Sequence, residues 1–359
     1  MTFVTQFARR FPATFTAARH AAFGVGAAVT VAAAAAAAPY CDRLLDPQAM
    51  PEKYASLAPV YASADTGWIF ASNQLRQSFK IKDKPKEMLE EILTTLEGQG
   101  VKVAILVAPP RPVVAGQGIL RKTMGEAAAD YDTAKALRSF QDMLADLRAT
   151  GAIVPDLSAL ALGDPDLRRR FYFRRDTHWT PTGAAESAAL LATQVSDAAP
   201  ELVMAEGPSI VGWKGRIEER GSLADLVRKS CDIKLPVEKT PTAVFATPES
   251  VEQGLLGDSP AEGQSGKRIA LVGTSFSDRY KRDHYRVADA LAAAFGRDVD
   301  NYSVSGGGLH RGMQGFVKSG GLAGGDYDLL VWEFPYTQNL NSTKRLGAVL
   351  KALRAASQG

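Results

Sequence analysis

Apolar and polar positions along the chain fall into two alternating patterns. Between residues 85 and 97, Met88, Leu89, Ile92, Leu93 and Leu96 recur at three- and four-residue spacings, which places them on one face of a helix. Gly98 and Gly100 end that pattern. VKVAILVAPP (101–110) follows as an unbroken apolar run halted by Pro109-Pro110, as in a strand buried on both faces. A second helical stripe, Leu137, Phe140, Leu144 and Leu147, stops near Gly151 and leads into Ala152-Ile153-Val154. A third helix is predicted over 182–196. Further on come strand RIALVGTS (268–275), a helix around 285–295 and strand VDNYSVS (299–305). Strand YDLLVWEFP (327–335) and a closing helix from about 342 complete the series. Apolar strands alternating with amphipathic helices predict an α/β domain with a mainly parallel sheet covered on both faces. Residues 42–80 read as irregular, with Gly67-Trp68-Ile69-Phe70 as a short aromatic anchor. The rhythm also breaks over 198–265, which is expected to be an irregular insertion or edge subdomain.

The N-terminal segment has a different pattern. Residues 21–38 carry no charged side chain, and Arg9, Arg10 and Arg19 all precede them, the order of a secretory signal. Residues 1–40 are therefore expected to be a signal peptide or a retained signal anchor, and 41–359 one folded domain in the periplasm. This changes the reading of charge. The formal net charge of +3 rests on those three arginines, which leave 39 basic and 39 acidic residues in the body of the chain. A polyanion-binding surface gets no support from such a balance, and no nucleic-acid partner is expected. Apolar residues at 46% and charged residues at 23% exclude a disordered or multi-span membrane chain. The two cysteines, Cys41 and Cys231, show no metal or redox spacing and are expected to pair in an oxidising compartment. Closing a loop of that length contributes roughly 4–5 kcal/mol in the chain-entropy treatment.

Two segments carry candidate chemistry. In Asp176-Thr177-His178-Trp179, alternation along an extended segment brings Asp176 and His178 to one side, and Thr180 with Pro181 opens the following helix. The pair has no further ligand at metal spacing, so no metal is expected. In Val272-Gly273-Thr274-Ser275-Phe276-Ser277, a strand ends at a corner that projects Ser275 above the sheet edge, its own N–H facing a developing oxyanion. Ser277 occupies the position that glycine takes in a hydrolase elbow, and it suits a capping role. A serine and an acid–histidine pair at one sheet edge are the parts of a nucleophilic triad. Gly306, Gly307 and Gly308 follow the next strand and offer backbone that can approach a tetrahedral intermediate closely. The Gly-Lys-Ser/Thr ending of a phosphate loop is absent, and no cofactor is expected.

FYFRRDTHWTPTGA, VGTSFS, SVSGGG and VWEFP, with GWIF and VAPPRP upstream, resemble the SGNH-hydrolase-like alginate O-acetyltransferases of the AlgX/AlgJ type, from about residue 60 to 340. The resemblance implies a three-layer α/β/α SGNH-hydrolase-like fold with a permuted triad order, the Asp-His pair preceding the serine. It implies Ser275 as nucleophile, His178 as general base and acid, and Asp176 as its orienting carboxylate. It further implies transfer of acetyl groups to hydroxyls of an exported polysaccharide, with a membrane-bound O-acyltransferase as donor and other polysaccharide-export proteins as partners. The family's oxyanion asparagine has no evident counterpart where the strand ends in Trp332-Glu333-Phe334-Pro335, and no C-terminal carbohydrate-binding module is expected after the last helix. An acetyl-esterase with the same triad and a non-catalytic polysaccharide-binding assembly protein are the alternatives. For substrate grip, Arg174 and Arg175 precede Asp176, Arg279, Lys281 and Arg282 follow the serine, and Tyr336 follows VWEFP. With Arg174, Arg175, Arg279 and Tyr336 as binding residues, a groove suited to an anionic polymer is expected.

Overall fold

The computed structural model describes residues 40–205, 207–246, 267–278 and 285–357. The predicted export segment, the latter part of the insertion and Arg279, Lys281 and Arg282 lie outside the described residues, apart from Tyr40 at the segment's end.

Eight strands are present among the described residues: β1 (Val60–Ala62), β2 (Ile69–Ala71), β3 (Lys102–Ala108), β4 (Ile210–Glu219), β5 (Glu238–Phe245), β6 (Arg268–Val272), β7 (Val299–Asn301) and β8 (Tyr327–Pro335). The central sheet runs β3-β8-β6-β7 with every pairing parallel. Its register sets Leu106 of β3 beside Glu333 of β8, and Val272 of β6 beside Trp332. The strands read as continuous apolar runs because both faces are covered. From Leu329 to Pro335 every residue of β8 is buried.

The helices before the insertion are α1 (Glu52–Ala55), α2 (Asp83–Glu97), α3 (Arg111–Ala115), α4 (Gln117–Met124), α5 (Thr133–Ala149), α6 (Leu157–Gly163), α7 (Pro165–Arg170) and α8 (Pro181–Ala198). After it starts come α9 (Ser222–Cys231), α10 (Val287–Phe295), α11 (Arg311–Lys318) and α12 (Thr343–Ala356). Helices α2, α11 and α12 pack together as one outer layer, and α8 with α10 as the other, which gives the α/β/α arrangement. The apolar Ala152-Ile153-Val154 run after α5 forms a single bridge on β3, where Ile105 donates to the Ile153 carbonyl at 2.8 Å and Ile153 to Val103 at 3.1 Å.

Two strands end sooner than their apolar runs predict. β6 stops at Val272 because the Thr274 N–H leaves the ladder for the Glu333 carboxylate, 2.8 Å away. Ser277 and Asp278 then fold back onto the Thr274 carbonyl. β7 ends at Asn301, yet Tyr302 and Val304 still donate to Leu271 and Gly273, so the segment stays against β6 up to the glycines.

The stretches read as irregular contain order of their own. Within 198–265, β4 and β5 form a separate antiparallel ribbon with α9 between them. Residues 42–80 hold the β1–β2 hairpin, which packs with α9 into a second, smaller core of Leu44, Val60, Ile69, Leu223, Leu226 and Val227. Cys41 and Cys231 close that core with a disulfide, their Cα atoms 5.7 Å apart. The predicted pairing is therefore present, and it ties the start of the described chain to the end of α9.

Candidate active site

The site lies at the carboxyl-terminal ends of β6 and β8, where open parallel sheets place their ligands. The segment before α8 is pinned from both sides. Thr180 donates its N–H to Phe171, and Phe173 donates to His178, so residues 171–180 close on themselves around the Asp176–His178 turn. Thr180 then caps α8 by accepting the Gly183 N–H at 3.1 Å. Asp176 and His178 meet through a turn rather than through strand alternation: Oδ1 of Asp176 accepts both the His178 N–H, at 2.9 Å, and His178 Nδ1. With Nδ1 committed to the carboxylate, Nε2 faces Ser275 Oγ at 2.8 Å.

Trp179 joins the two motifs. Its fully buried indole donates to the Phe276 carbonyl at 3.0 Å, so the histidine loop and the serine corner are held at a fixed spacing. Phe276 and Tyr285 flank the His178 ring, with centroids 4.6 and 5.0 Å away, and Tyr285 stacks within 23° of parallel. The structure thus brings Asp176, His178 and Ser275 into one hydrogen-bonded relay.

Asp176 is buried, and burial by itself would raise its pKa. The His178 imidazole and the N–H groups of Ser222 and His178 outweigh that, and the carboxyl is held well below the usual range. The Ser222 N–H comes from the first residue of α9, and it accounts for Oδ2 as His178 accounts for Oδ1.

Glu333, which no motif in the sequence marks as a functional residue, is the other buried carboxylate here, with no exposed surface. Both of its oxygens accept the Thr274 hydroxyl, at 3.1 Å, and Oε2 also accepts the Thr274 N–H. Thr274 Oγ1 in turn accepts the Phe276 N–H at 3.3 Å. Burial pushes the Glu333 carboxyl up to about 7, against the lowering effect of its Thr274 hydrogen bonds. The only sequence sign of this residue is an acid within the apolar, fully buried part of its strand, Leu329–Pro335.

A cavity of about 370 Å³ opens at Ser275, lined among others by Thr177, Gly306, Gly308, Tyr336 and Arg345. Among the described residues, the N–H groups of Ser275, Gly306 and Gly308 have no protein acceptor. Gly307 does not join them: its N–H donates to the Val304 carbonyl at 2.9 Å, and a Cβ there would meet that carbonyl and Arg311 rather than the cavity. Tyr336 lines the cavity but is buried, its hydroxyl donating to the Gln74 carbonyl at 3.1 Å.

Of the arginines expected to grip substrate, the two within the described residues, Arg174 and Arg175, lie away from this cavity. Arg175 Nη1 donates to the Pro236 carbonyl at 2.7 Å, and its backbone N–H to Glu238, which turns the side chain toward the β5 end of the insertion. Arg174 lines a different cavity. Among the described residues, the cation at the Ser275 cavity is Arg345 of α12, whose Nη1 is 3.4 Å from Gln338 Oε1. No motif marks it, because it arrives from the closing helix.

A family model described as "SGNH hydrolase-like domain, acetyltransferase AlgX" matches residues 62–336. The alginate biosynthesis protein AlgX of Azotobacter vinelandii is 28% identical over 322 residues, covering 89% of this chain and 63% of that protein. The probable alginate O-acetylase AlgJ of Pseudomonas aeruginosa is 28% identical over 285 residues, covering 75% of this chain and 68% of that protein. Among solved structures, Pseudomonas aeruginosa AlgX superposes with a TM-score of 0.69 at 21% identity, over 87% of this chain and 70% of that one. The chain spans 59–63% of the length of the curated AlgX relatives it matches first.

Proposed function

Because the chain belongs to the AlgX family of SGNH hydrolase-like acetyltransferase domains, we propose that it transfers acetyl groups to hydroxyls of an exported polysaccharide of the alginate type, through an acyl-Ser275 intermediate. The observation that carries this reading is the relay from Asp176 through His178 to Ser275, with Ser275 open to a cavity of sugar-ring size. His178 Nε2 takes the Ser275 proton as Oγ attacks the acetyl carbonyl. The negative charge that forms on the carbonyl oxygen is met by the N–H groups of Ser275, Gly306 and Gly308. The imidazolium, stabilised by Asp176, returns its proton to the leaving oxygen, and acetyl-Ser275 remains. A sugar hydroxyl then enters, His178 accepts its proton, the oxygen attacks the acetyl carbon, and the released Ser275 oxygen is reprotonated.

Export to the periplasm through residues 1–40 belongs to the same proposal, as does a membrane-bound O-acyltransferase that delivers the acetyl group. Arg345 at the cavity supplies a positive charge for a uronate carboxylate beside the acceptor hydroxyl. The test incubates the chain with an activated acetyl ester, with and without a uronate polymer, and follows free acetate and polymer-bound acetyl together. Acetyl appearing on the polymer at the expense of free acetate supports transfer. Acetate release that the polymer leaves unchanged makes the chain an esterase, and no turnover of either kind leaves it a binding protein.

A further inference from the structure

A second cavity, of about 330 Å³, lies beside α3 and α4, the helices that begin where β3 ends. Its walls combine two chemistries. Trp68, Val114 and Ile119 give it an apolar floor, and Lys122, Arg168, Arg169 and Arg174 ring it with four cations against the single acid Asp65. Arg169 is paired with Asp166. Arg168 is fixed by its Nε donating to the Val114 carbonyl at 2.7 Å, which leaves its charge uncompensated. Among the described residues, the side chains of Lys122 and Arg174 make no hydrogen bond or ion pair. In a body with equal numbers of acids and bases, this is a local excess of positive charge beside apolar side chains.

Its position relates it to the Ser275 cavity. The buried guanidinium of Arg111 lies over Trp68, 5.1 Å from the ring centroid, and donates to Gln74 Oε1 at 2.8 Å. Trp68 lines the second cavity and Gln74 the first, so the Arg111 side chain touches a wall of each. Each is near the smallest size of small-molecule sites, enough for about one sugar ring and not for a polymer.

We propose that the second cavity is a saccharide subsite for a carboxylated sugar residue of the same polymer that is acetylated at Ser275, an inference that rests on the polysaccharide reading above. The carboxylate takes paired hydrogen bonds from the guanidinium and ammonium groups, and the ring covers the apolar floor. Occupation of this subsite holds the polymer while a residue further along it sits at Ser275. It also assigns Arg174 a role in substrate grip away from the serine.

The test is titration calorimetry of the full chain with a short oligouronate, its carboxyl-reduced neutral counterpart, and inorganic phosphate. Oligouronate binding is expected to weaken with salt and to fall about tenfold when Lys122→Ala and Arg174→Ala are combined. Equal affinity of the double variant and wild type overturns the proposal. So does binding of the neutral oligosaccharide as tight as that of the uronate, or displacement of the uronate by phosphate at equal concentration, since either makes the cavity no uronate site. A second measurement needs no variant: carbodiimide activation of the bound oligouronate should couple it to the Lys122 amine, identified by peptide mapping. Coupling that avoids Lys122 and falls on other lysines counts against the subsite. Labelling of Ser275 by an acetyl ester is independent of this cavity, so the subsite and the transfer reading fail separately.

Discussion

The backbone N–H of Ser222 donates to Oδ2 of Asp176, and this one contact connects the candidate relay to a part of the molecule far from it in sequence. The approach is close. Gly221, just before α9, has φ +84°, and a Cβ there would lie 2.2 Å from the Arg175 carbonyl oxygen. Ala224 donates to that same oxygen at 3.0 Å. The N-terminus of α9 is therefore seated on the Asp176 loop and fixes the carboxylate that orients His178.

Gly221→Ala is expected to push α9 off this seat, because both the positive φ and the occupied space oppose a side chain. Turnover of an activated acetyl ester should fall about 10–100-fold through kcat, with KM little changed, since the loss is one of geometry at the histidine. Steady-state kinetics separate the two constants. An unchanged kcat would show that the Ser222 contact does not orient Asp176.

Glu333 gives a pH signature. Its carboxyl is raised in the folded state to about 7 from an ordinary value near 4.5, so the folded protein binds this proton more tightly than the unfolded chain. That stability is fully present below about pH 4.5 and is lost as pH rises through about 7, a contribution on the order of 3 kcal/mol. Glu333→Gln removes the titration and keeps an acceptor for the Thr274 N–H. Urea unfolding should therefore show the variant gaining on wild type between pH 5 and pH 8. A difference that stays constant across that range would contradict the burial argument. Glu333→Ala leaves the Thr274 N–H without its acceptor, and it should lower kcat as well as stability.

The disulfide is expected to stabilise the domain through its long loop. Cys41 and Cys231 are 190 residues apart, and removing the link by Cys231→Ser should cost about 4–5 kcal/mol at most in the chain-entropy treatment. Denaturant unfolding with and without reductant measures it. Wild type should shift toward the variant when reduced, and the variant should not respond. Since the bridge ends α9, whose first residue holds Asp176, activity should decline before the main sheet unfolds.

How much of this was legible in the sequence depends on how local each cause is. The strands 102–108 and 327–335 and the helices 83–97 and 181–198 lie close to where apolar periodicity puts them, because each meets its partner along an uninterrupted face. Asp176, His178 and Ser275 were readable as residue types at a strand–loop–helix junction, and they do converge. What could not be read was supplied by chain that arrives from elsewhere. Ser222 contributes only a backbone N–H, Arg345 comes from the closing helix, and Glu333 sits between the apolar Trp332 and Phe334 in a buried stretch of strand. Arg175 follows no such local rule, because a cation next to Asp176 in sequence need not share its side: here the Pro236 carbonyl and Glu238 draw it toward the insertion. Gly307 differs from its neighbours because its N–H closes a turn on Val304, which a run of three glycines does not reveal.

The central claim is that Ser275 carries the acetyl group, and the most direct test is to trap it. The chain is exposed briefly to an activated acetyl ester, quenched in acid, digested and mapped by mass spectrometry. One added acetyl group is expected on Ser275, to be lost when polymer acceptor is supplied before the quench, and absent from both Ser275→Ala and His178→Ala. An acetyl group on Ser277 instead, or full turnover by Ser275→Ala, would contradict the account.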